Sequence, residues 1–334
     1  MRDEPLPVGV VGVGTMGKHH ARVYEAIPEA DLVGVTDRDS SAARKTAEEY
    51  GTNAYDLEAL LERVQAVTIA VPTESHLEVA TQCLEAGIDV LVEKPIAGTI
   101  AEGEQLIEEA NVHDAILQVG HIERYNPAVQ ALQDFVGDLD IVSIRTERLG
   151  PSPDRSIEDS AVLDLMIHDI DIVLSLLGET PETVSAAGVR QNRHASATLT
   201  FGSDVIAELT ASRLTQEKVR KLEVIATDCL VRVDYLDRDI EIHRQSRPEY
   251  ITTDYDVRFR HESIIERPMV DSTEPLVNEL SAFVDSVRNR SAPEVTGEDA
   301  LQALQLAKQI DTFRVDEQDP TERRFPVSSE VTQD

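Results

Sequence analysis

Residues 8–22 read Val-Gly-Val-Val-Gly-Val-Gly-Thr-Met-Gly-Lys-His-His-Ala-Arg, and the stretch closes at 33–37 on Val-Gly-Val-Thr-Asp. Val8–Val13 is short, apolar and β-branched and runs into glycine, the pattern of a strand buried on both faces. Gly12, Gly14 and Gly17 then form G-x-G-x-x-G, with Thr15 and Met16 inside the loop. A helical stretch carrying Ala21, Val23, Tyr24 and Ile27 follows and stops near Pro28, and a second strand over 31–36 delivers Asp37. Each glycine has a physical task in that setting. Gly12 permits the tight turn, Gly14 bares the backbone where a pyrophosphate approaches, and Gly17 lets helix and strand pack closely. The helix N-terminus offers unpaired N–H groups to the phosphates. Asp37, 20 residues beyond Gly17, is placed to accept hydrogen bonds from ribose hydroxyls. Its charge repels a 2′-phosphate, which favours NAD, while Arg38 beside it leaves NADP possible.

The alternation of strand and helix continues to about residue 122. Helices are expected over 40–50, 57–63, 75–86 and 100–111, and strands over 66–71, 89–92 and 116–119. This predicts a doubly wound parallel sheet with ligands at the carboxyl ends of its strands. The second half carries short β-rich runs at 140–148, 183–189, 196–201, 205–212, 221–226, 229–235 and 239–243, the mark of a mainly antiparallel sheet. Helices are expected at 157–177, 273–290 and 297–313. The chain therefore divides into a dinucleotide-binding domain (1–122), an α+β domain (123–315) and an acidic tail (316–334) expected to lack order.

The chain has 334 residues, enough for two domains with cores of their own. Its net charge is −32, from 63 acidic and 31 basic residues. Nucleic acid and anionic membranes are poor partners for such a surface. No apolar run is long enough to span a bilayer, and the N-terminus has no signal-peptide core, so a cytoplasmic location is expected. Six lysines leave 25 of the 31 basic residues as arginine. An acid excess with scarce lysine is the surface expected of a protein in a high-salt cytoplasm, where screening shortens self-repulsion to a few ångströms; a solvated acidic surface in an ordinary cell is the alternative. Cys83 and Cys229 are the only cysteines, too few for a disulfide framework or a cysteine-rich metal site. No metal is expected.

Two motifs go beyond the glycine loop. Glu93-Lys94-Pro95 ends a buried strand; a lysine there is held charged by a nearby carboxylate and can hydrogen-bond a substrate hydroxyl, although a Lys beside a Pro also suits a solvated turn. Asp164-Leu-Met-Ile-His168-Asp-Ile-Asp171 lies in an apolar helix. Helical spacing puts 164, 168 and 171 on one face, opposite Leu163, Ile167, Ile170 and Leu174. That stripe is either solvent-facing or in use. In use, His168 is the natural general base and Asp164 would orient its ring. His19 and His20 are expected to cap the loop or face solvent.

The glycine loop, Asp37, Ala70-Val-Pro-Thr73 with His76, Glu93-Lys94-Pro95 and Asp164-x-x-x-His168-x-x-Asp171 occur in the order seen in the Gfo/Idh/MocA oxidoreductases, and the chain resembles that family to about residue 315. The resemblance implies a Rossmann domain followed by a domain with an open sheet used for oligomerisation, hence a homodimer or homotetramer. It also implies NAD(P)-linked oxidation or reduction at a secondary alcohol of a sugar. Carried over, Lys94, Asp164 and His168 form the catalytic and substrate-binding set, and Val71, Thr73, His76 and Glu93 join the cofactor contacts. The stretch Val119-Gly-His-Ile-Glu-Arg-Tyr-Asn-Pro127 resembles members that act on nucleotide-linked sugars, such as UDP-N-acetylglucosamine oxidised at C3. Arg124 within it would bind phosphate, or else make a structural pair. Free-sugar or inositol oxidation (xylose, glucose, myo-inositol) is the alternative, and a cofactor-sensing regulator without turnover a more distant one. Where members often carry glycine before the histidine, this chain has Met166 and Ile167, which predicts a bulkier pocket floor.

Overall fold

The computed structural model describes residues 4–152, 160–245, 249–253, 256–260 and 262–313. The acidic tail and the first three residues of the helix expected at 157–177 lie outside them. The N-terminal part runs β1 (Leu6–Val11), α1 (Thr15–Ala26), β2 (Ala30–Thr36), α2 (Ser40–Glu49), β3 (Asn53–Ala54), α3 (Leu57–Leu61), β4 (Ala66–Ile69), α4 (His76–Glu85), β5 (Asp89–Glu93), α5 (Ile100–Val112) and β6 (Leu117–Gly120). All six strands are parallel, in the order β3-β2-β1-β4-β5-β6. The order reverses between β1 and β4, so a crevice opens at the carboxyl ends of those strands, where Gly12 and Val71 lie. Val8, Val10, Val67, Val90, Leu91 and Val92 are wholly buried, as a sheet covered on both faces requires.

The remainder runs α6 (Pro127–Val136), β7 (Ile141–Leu149), α7 (Ile167–Leu177), β8 (Thr183–Val189), β9 (His194–Thr200), β10 (Ile206–Ser212), β11 (Val219–Ala226), β12 (Cys229–Asp234), β13 (Asp239–Gln245), β14 (Glu249–Thr253), β15 (Asp256–Arg260), β16 (Ser263–Glu266), α8 (Pro275–Asn289) and α9 (Gly297–Asp311). Eight strands form one sheet, β16-β13-β12-β11-β7-β10-β9-β8. It is antiparallel except where β7 and β10 run parallel. Along β7, Ile144, Thr146 and Arg148 are buried on the helix-covered face while Arg145 and Glu147 point to solvent, the period-two alternation of a half-covered sheet. The outer face is laced by cross-strand ion pairs, Arg145–Glu208 and Arg232–Glu223 among them.

The structure adds elements and packing that the sequence expectation lacked. Helix α6 was not anticipated, although Asn126 caps it by accepting from the Ala128 N–H and Pro127 occupies its first turn, a strong start signal. The hairpin β14–β15 and the edge strand β16 were also missed. Helix α8 follows the second sheet in sequence but packs on the first core: Leu276, Leu280, Phe283 and Val284 join Val8, Val10 and Tyr24. Arg290, just beyond it, grips both Asp89 oxygens at 2.8 Å. The chain thus closes back onto its nucleotide-binding half, and α9 packs against both α5 and α7.

Candidate active site

The glycine loop has the geometry of a dinucleotide cradle. Gly12 has φ +89°, and a Cβ there would meet the Ala70 carbonyl oxygen at 2.7 Å. A Cβ on Gly17 would lie 1.8 Å from the Gly12 carbonyl oxygen, whereas one on Gly14 would meet nothing within 4 Å. Gly12 and Gly17 are therefore demanded by the fold, whereas nothing in the fold requires glycine at 14, and the open space there leaves room for a phosphate to approach the backbone. Gly14 is also the N-cap of α1 and supplies no side-chain cap, so the first-turn N–H groups remain for phosphates. Asp37 faces this loop: its Oδ2 accepts from the Val13 N–H and its Oδ1 from the Asp39 N–H, each at 2.8 Å. These residues fit an NAD-type cofactor. Thr15, Met16 and Arg38 are exposed around the loop.

Val71 and Thr73 follow β4 at the adjoining strand end. His76 is buried and spans two loops, with Nδ1 3.0 Å from the Pro95 carbonyl and Nε2 3.1 Å from the Val71 carbonyl. Burial lowers its pKa despite those carbonyls, so the neutral ring donates to one carbonyl and ties the Val71 loop to the Lys94–Pro95 turn.

At the end of β5, Glu93 Oε1 lies 2.7 Å from His20 Nε2, and Glu93 Oε2 accepts from the Lys94 N–H at 3.3 Å. Burial raises the Glu93 pKa, yet the hydrogen bond and charge of His20, with Lys94, bring the net shift downward. His20 is wholly buried, which overturns the expectation that it caps the loop or faces solvent. It sits one turn into α1, on the side facing the sheet, and the apolar Ala21 and Val23 beside it gave no hint of a carboxylate 73 positions away.

Lys94 points out of the first domain into the second. Its Nζ donates to the Asp164 carbonyl at 2.8 Å and to Asp164 Oδ1 at 2.9 Å; Arg213 holds the other carboxylate oxygen. Burial works to raise the Asp164 pKa, but these two cations hold it down to about 2. Asp164 thus orients the lysine. The expected Asp164–His168 hydrogen bond is not formed, because residues Val162–Met166 make a π-helical turn before α7 begins. The wider turn takes 164 and 168 out of their i, i+4 relation.

His168 is half-buried on α7, and its Nδ1 has no hydrogen-bond partner among the described residues. Burial, then the charges of Lys94 and Arg148, push its pKa well below 6.5, so the ring is neutral and able to accept a proton near pH 7. His121 stands edge-on to it, ring centroids 6.2 Å apart, and burial lowers the His121 pKa to about 3. Behind them Asp171 is buried, with Oδ1 3.5 Å from Arg124 Nη1. Burial raises the Asp171 pKa to about 7 despite that arginine. Arg124 also donates to the Glu294 carbonyl at 3.2 Å and is buried, while its Nε has no hydrogen-bond partner among the described residues. Met166 and Ile167 are wholly buried in the main core, so their bulk fills the core and not a pocket floor, as the expectation had it.

One arrangement escaped sequence reading altogether. Arg148 on β7 donates to both Asp169 oxygens at 2.8–3.1 Å and to Glu123 Oε1 at 2.7 Å, with its guanidinium over the Tyr235 ring. This buried lock holds α7, and with it His168, against the second sheet and the interdomain segment. Among the described residues there is no cluster of three or more metal-ligating side chains and no helix long and apolar enough to cross a membrane.

Comparison with known proteins agrees with this geometry. A family model described as "Oxidoreductase family, NAD-binding Rossmann fold" matches residues 6–121, and one described as "GFO/IDH/MocA C-terminal domain" matches residues 133–232. The UDP-N-acetylglucosamine 3-dehydrogenase of Acidithiobacillus ferrooxidans is 36% identical over 245 residues, covering 72% of this chain and 77% of that protein. A crystal structure of that enzyme superposes with a TM-score of 0.83 at 30% identity, over 92% of this chain and 97% of the other. An inositol 2-dehydrogenase of Rhizobium meliloti is 26% identical over 317 residues, 90% of this chain and 94% of that one. With a dinucleotide cradle in one domain, a lysine reaching into the other and both domains matched by family models, the chain belongs to the Gfo/Idh/MocA oxidoreductases.

Proposed function

We propose that this protein is an NAD-dependent dehydrogenase that oxidises a secondary alcohol of a nucleotide sugar, UDP-N-acetylglucosamine at C3 being the favoured substrate. The observation that carries the reading is the convergence of Lys94, Asp164 and the neutral His168 from two domains at the carboxyl ends of the parallel strands. A bound nicotinamide supplies a hydride acceptor. In this reading Lys94, fixed by Asp164, donates a hydrogen bond to the substrate oxygen, and His168 takes the hydroxyl proton. Glu93 and His20 hold the backbone that carries Lys94. Gly12, Gly14, Thr15, Met16, Gly17, Asp37, Arg38, Val71, Thr73, His76 and Glu93 surround the cofactor, and Asp37 disfavours the 2′-phosphate of NADP. Similarity to the Acidithiobacillus enzyme supports the substrate. The test is to offer NAD with UDP-sugars, free aldoses and myo-inositol and to follow the reduced cofactor. Turnover confined to UDP-N-acetylglucosamine is expected. Turnover of myo-inositol alone would give the second reading, which similarity to inositol dehydrogenases over 90% of the chain supports.

The protein works in this reading as a cytoplasmic homodimer or homotetramer joined through the outer face of its larger sheet. Its charge of −32 suits a high-salt interior. Structure and activity should be lost on dialysis into dilute buffer, and full activity there would remove the salt-adapted reading.

A further inference from the structure

Around Asp164 and His168 the charges are nearly balanced, but not quite. Four cations, Lys94, Arg148, Arg213 and Arg220, act on Asp164 or His168, and the carboxylates that act on Arg220 are Glu123, Asp164 and Asp169. Every carboxylate is already engaged: Asp169 and Glu123 by Arg148, and Asp164 by Lys94 and Arg213. Arg220 alone among these four cations has no carboxylate within ion-pair distance among the described residues. Its Nη1 donates to the carbonyls of Leu149 and Val219, which anchors the guanidinium and leaves Nε and Nη2 uncommitted.

The position of Arg220 makes that vacancy costly. It pairs directly across β11–β7 with Arg148, so two guanidinium groups stand on the same helix-facing side of the sheet, where like charges opposite one another are unfavourable. The side chain is half-buried, and burial, then Arg148, works against its charge. In a chain with 63 acidic and 31 basic residues, a carboxylate partner would be easy to supply. An arginine kept unpaired beside a proposed reaction site is what an anionic ligand group requires, since the planar fork offers two parallel donors to a phosphate.

We infer that Arg220 binds the anomeric phosphate of the diphosphate-linked substrate, with Leu149 and Val219 holding its guanidinium in place. This rests on the nucleotide-sugar reading and deepens it. A sugar oxidised at C3 carries its phosphate only two ring carbons away at C1, and Arg220 is near enough to His168 for its charge to act on that ring, so a phosphate held beside the reacting carbon falls within the field of this arginine. A neutral polyol has nothing to offer this residue.

The experiment is titration of UDP and of uridine into the wild-type protein and into Arg220→Gln and Arg220→Lys, with steady-state kinetics on UDP-N-acetylglucosamine. Wild type should bind UDP far more tightly than uridine. Arg220→Gln should weaken UDP by about tenfold to a hundredfold, leave uridine unchanged and raise KM more than it lowers kcat. Arg220→Lys, which keeps the charge but loses the fork, should fall between and stays informative should the glutamine variant not fold. Wild type binding UDP no better than uridine, or both variants binding UDP as wild type does, overturns the inference. Turnover of UDP-N-acetylglucosamine with unchanged KM in both variants overturns it while leaving the proposed function standing. Selective, Arg220-dependent binding of UDP without turnover of any UDP-sugar supports it and sinks the proposed reaction instead.

Discussion

Lys94 and Asp164, 70 residues apart in the chain, meet with Nζ 2.9 Å from Oδ1, and this contact joins the strand end of the nucleotide-binding domain to the π-helical turn of the second. The Asp164 carbonyl accepts from the same amine at 2.8 Å. Two acceptors from one residue aim the ammonium and limit its wandering. Replacing Lys94 with Met keeps most of the stem and removes the charge. Turnover should fall by about 10²–10⁴-fold with NAD affinity nearly unchanged; equal losses in both would point to a collapsed domain junction instead.

His168 should set the acid limb of the rate profile. Burial and the nearby cations hold its pKa well below 6.5, so a plot of kcat/KM against pH should stay flat as pH falls through 6.5 and bend only further down. His168→Ala should lower turnover by about 10²–10⁴-fold and erase that limb. A wild-type limb centred at 6.5 would show a solvated histidine.

Asp171 makes a statement about stability. Its pKa is raised from 3.8 to about 7 in the folded protein, so the folded state binds the extra proton between those values. Its contribution is fully present below about pH 4 and is lost as pH rises through about 7. Asp171→Asn cannot ionise. Relative to wild type, that variant should gain stability as pH rises from about 4 to 7, measured by urea unfolding at several pH values. A difference independent of pH would mean that Asp171 is ionised throughout.

The two glycines of the loop should separate fold from ligand. Gly17→Ala forces a Cβ to within 1.8 Å of the Gly12 carbonyl oxygen and should cost about 3 kcal/mol or more, read as a lowered Tm without cofactor. Gly14→Ala meets nothing within 4 Å; it should leave Tm nearly unchanged and weaken NAD. Normal NAD binding in Gly14→Ala would take the pyrophosphate away from that loop.

Asp37→Ser replaces the two carboxylate oxygens that accept from the Val13 and Asp39 N–H groups with one shorter hydroxyl and removes the charge that repels a 2′-phosphate. Preference should move toward NADP, seen in the ratio of kcat/KM for the two cofactors, with some loss for both from a looser loop. An unmoved ratio would assign the ribose to another residue.

The parallel half of the fold was legible in sequence because its signals are local. A buried parallel strand must be an apolar run, a tight turn before a helix needs glycine, and Asp37 ends the next strand within the same βαβ unit. The antiparallel character of the second sheet also followed from short spacing between strands. The start of α6 is also written in the sequence, in the Asn126 cap and Pro127 of its first turn. The parallel β7–β10 pair was not legible, because strand direction there depends on a long crossover. Helix α8 was recognisable as a helix, but nothing along the chain says that its apolar face covers Val8 and Tyr24.

The candidate site divides in the same way. The sequence by itself determined which side chains are available for the proposed chemistry, Lys94, Asp164 and His168 among them, and that a glycine loop precedes them. Only the tertiary structure decided their partners: Asp164 on Lys94 and Arg213 instead of His168, His20 buried on Glu93, Arg124 beside Asp171, and Arg220 without a carboxylate within ion-pair distance among the described residues. Helical periodicity assumes a regular turn, and the π-turn at Val162–Met166 breaks that assumption where it matters. Charge pairing depends on distances of a few ångströms between residues far apart in the chain, and only the packing of the two domains brings such residues within that range.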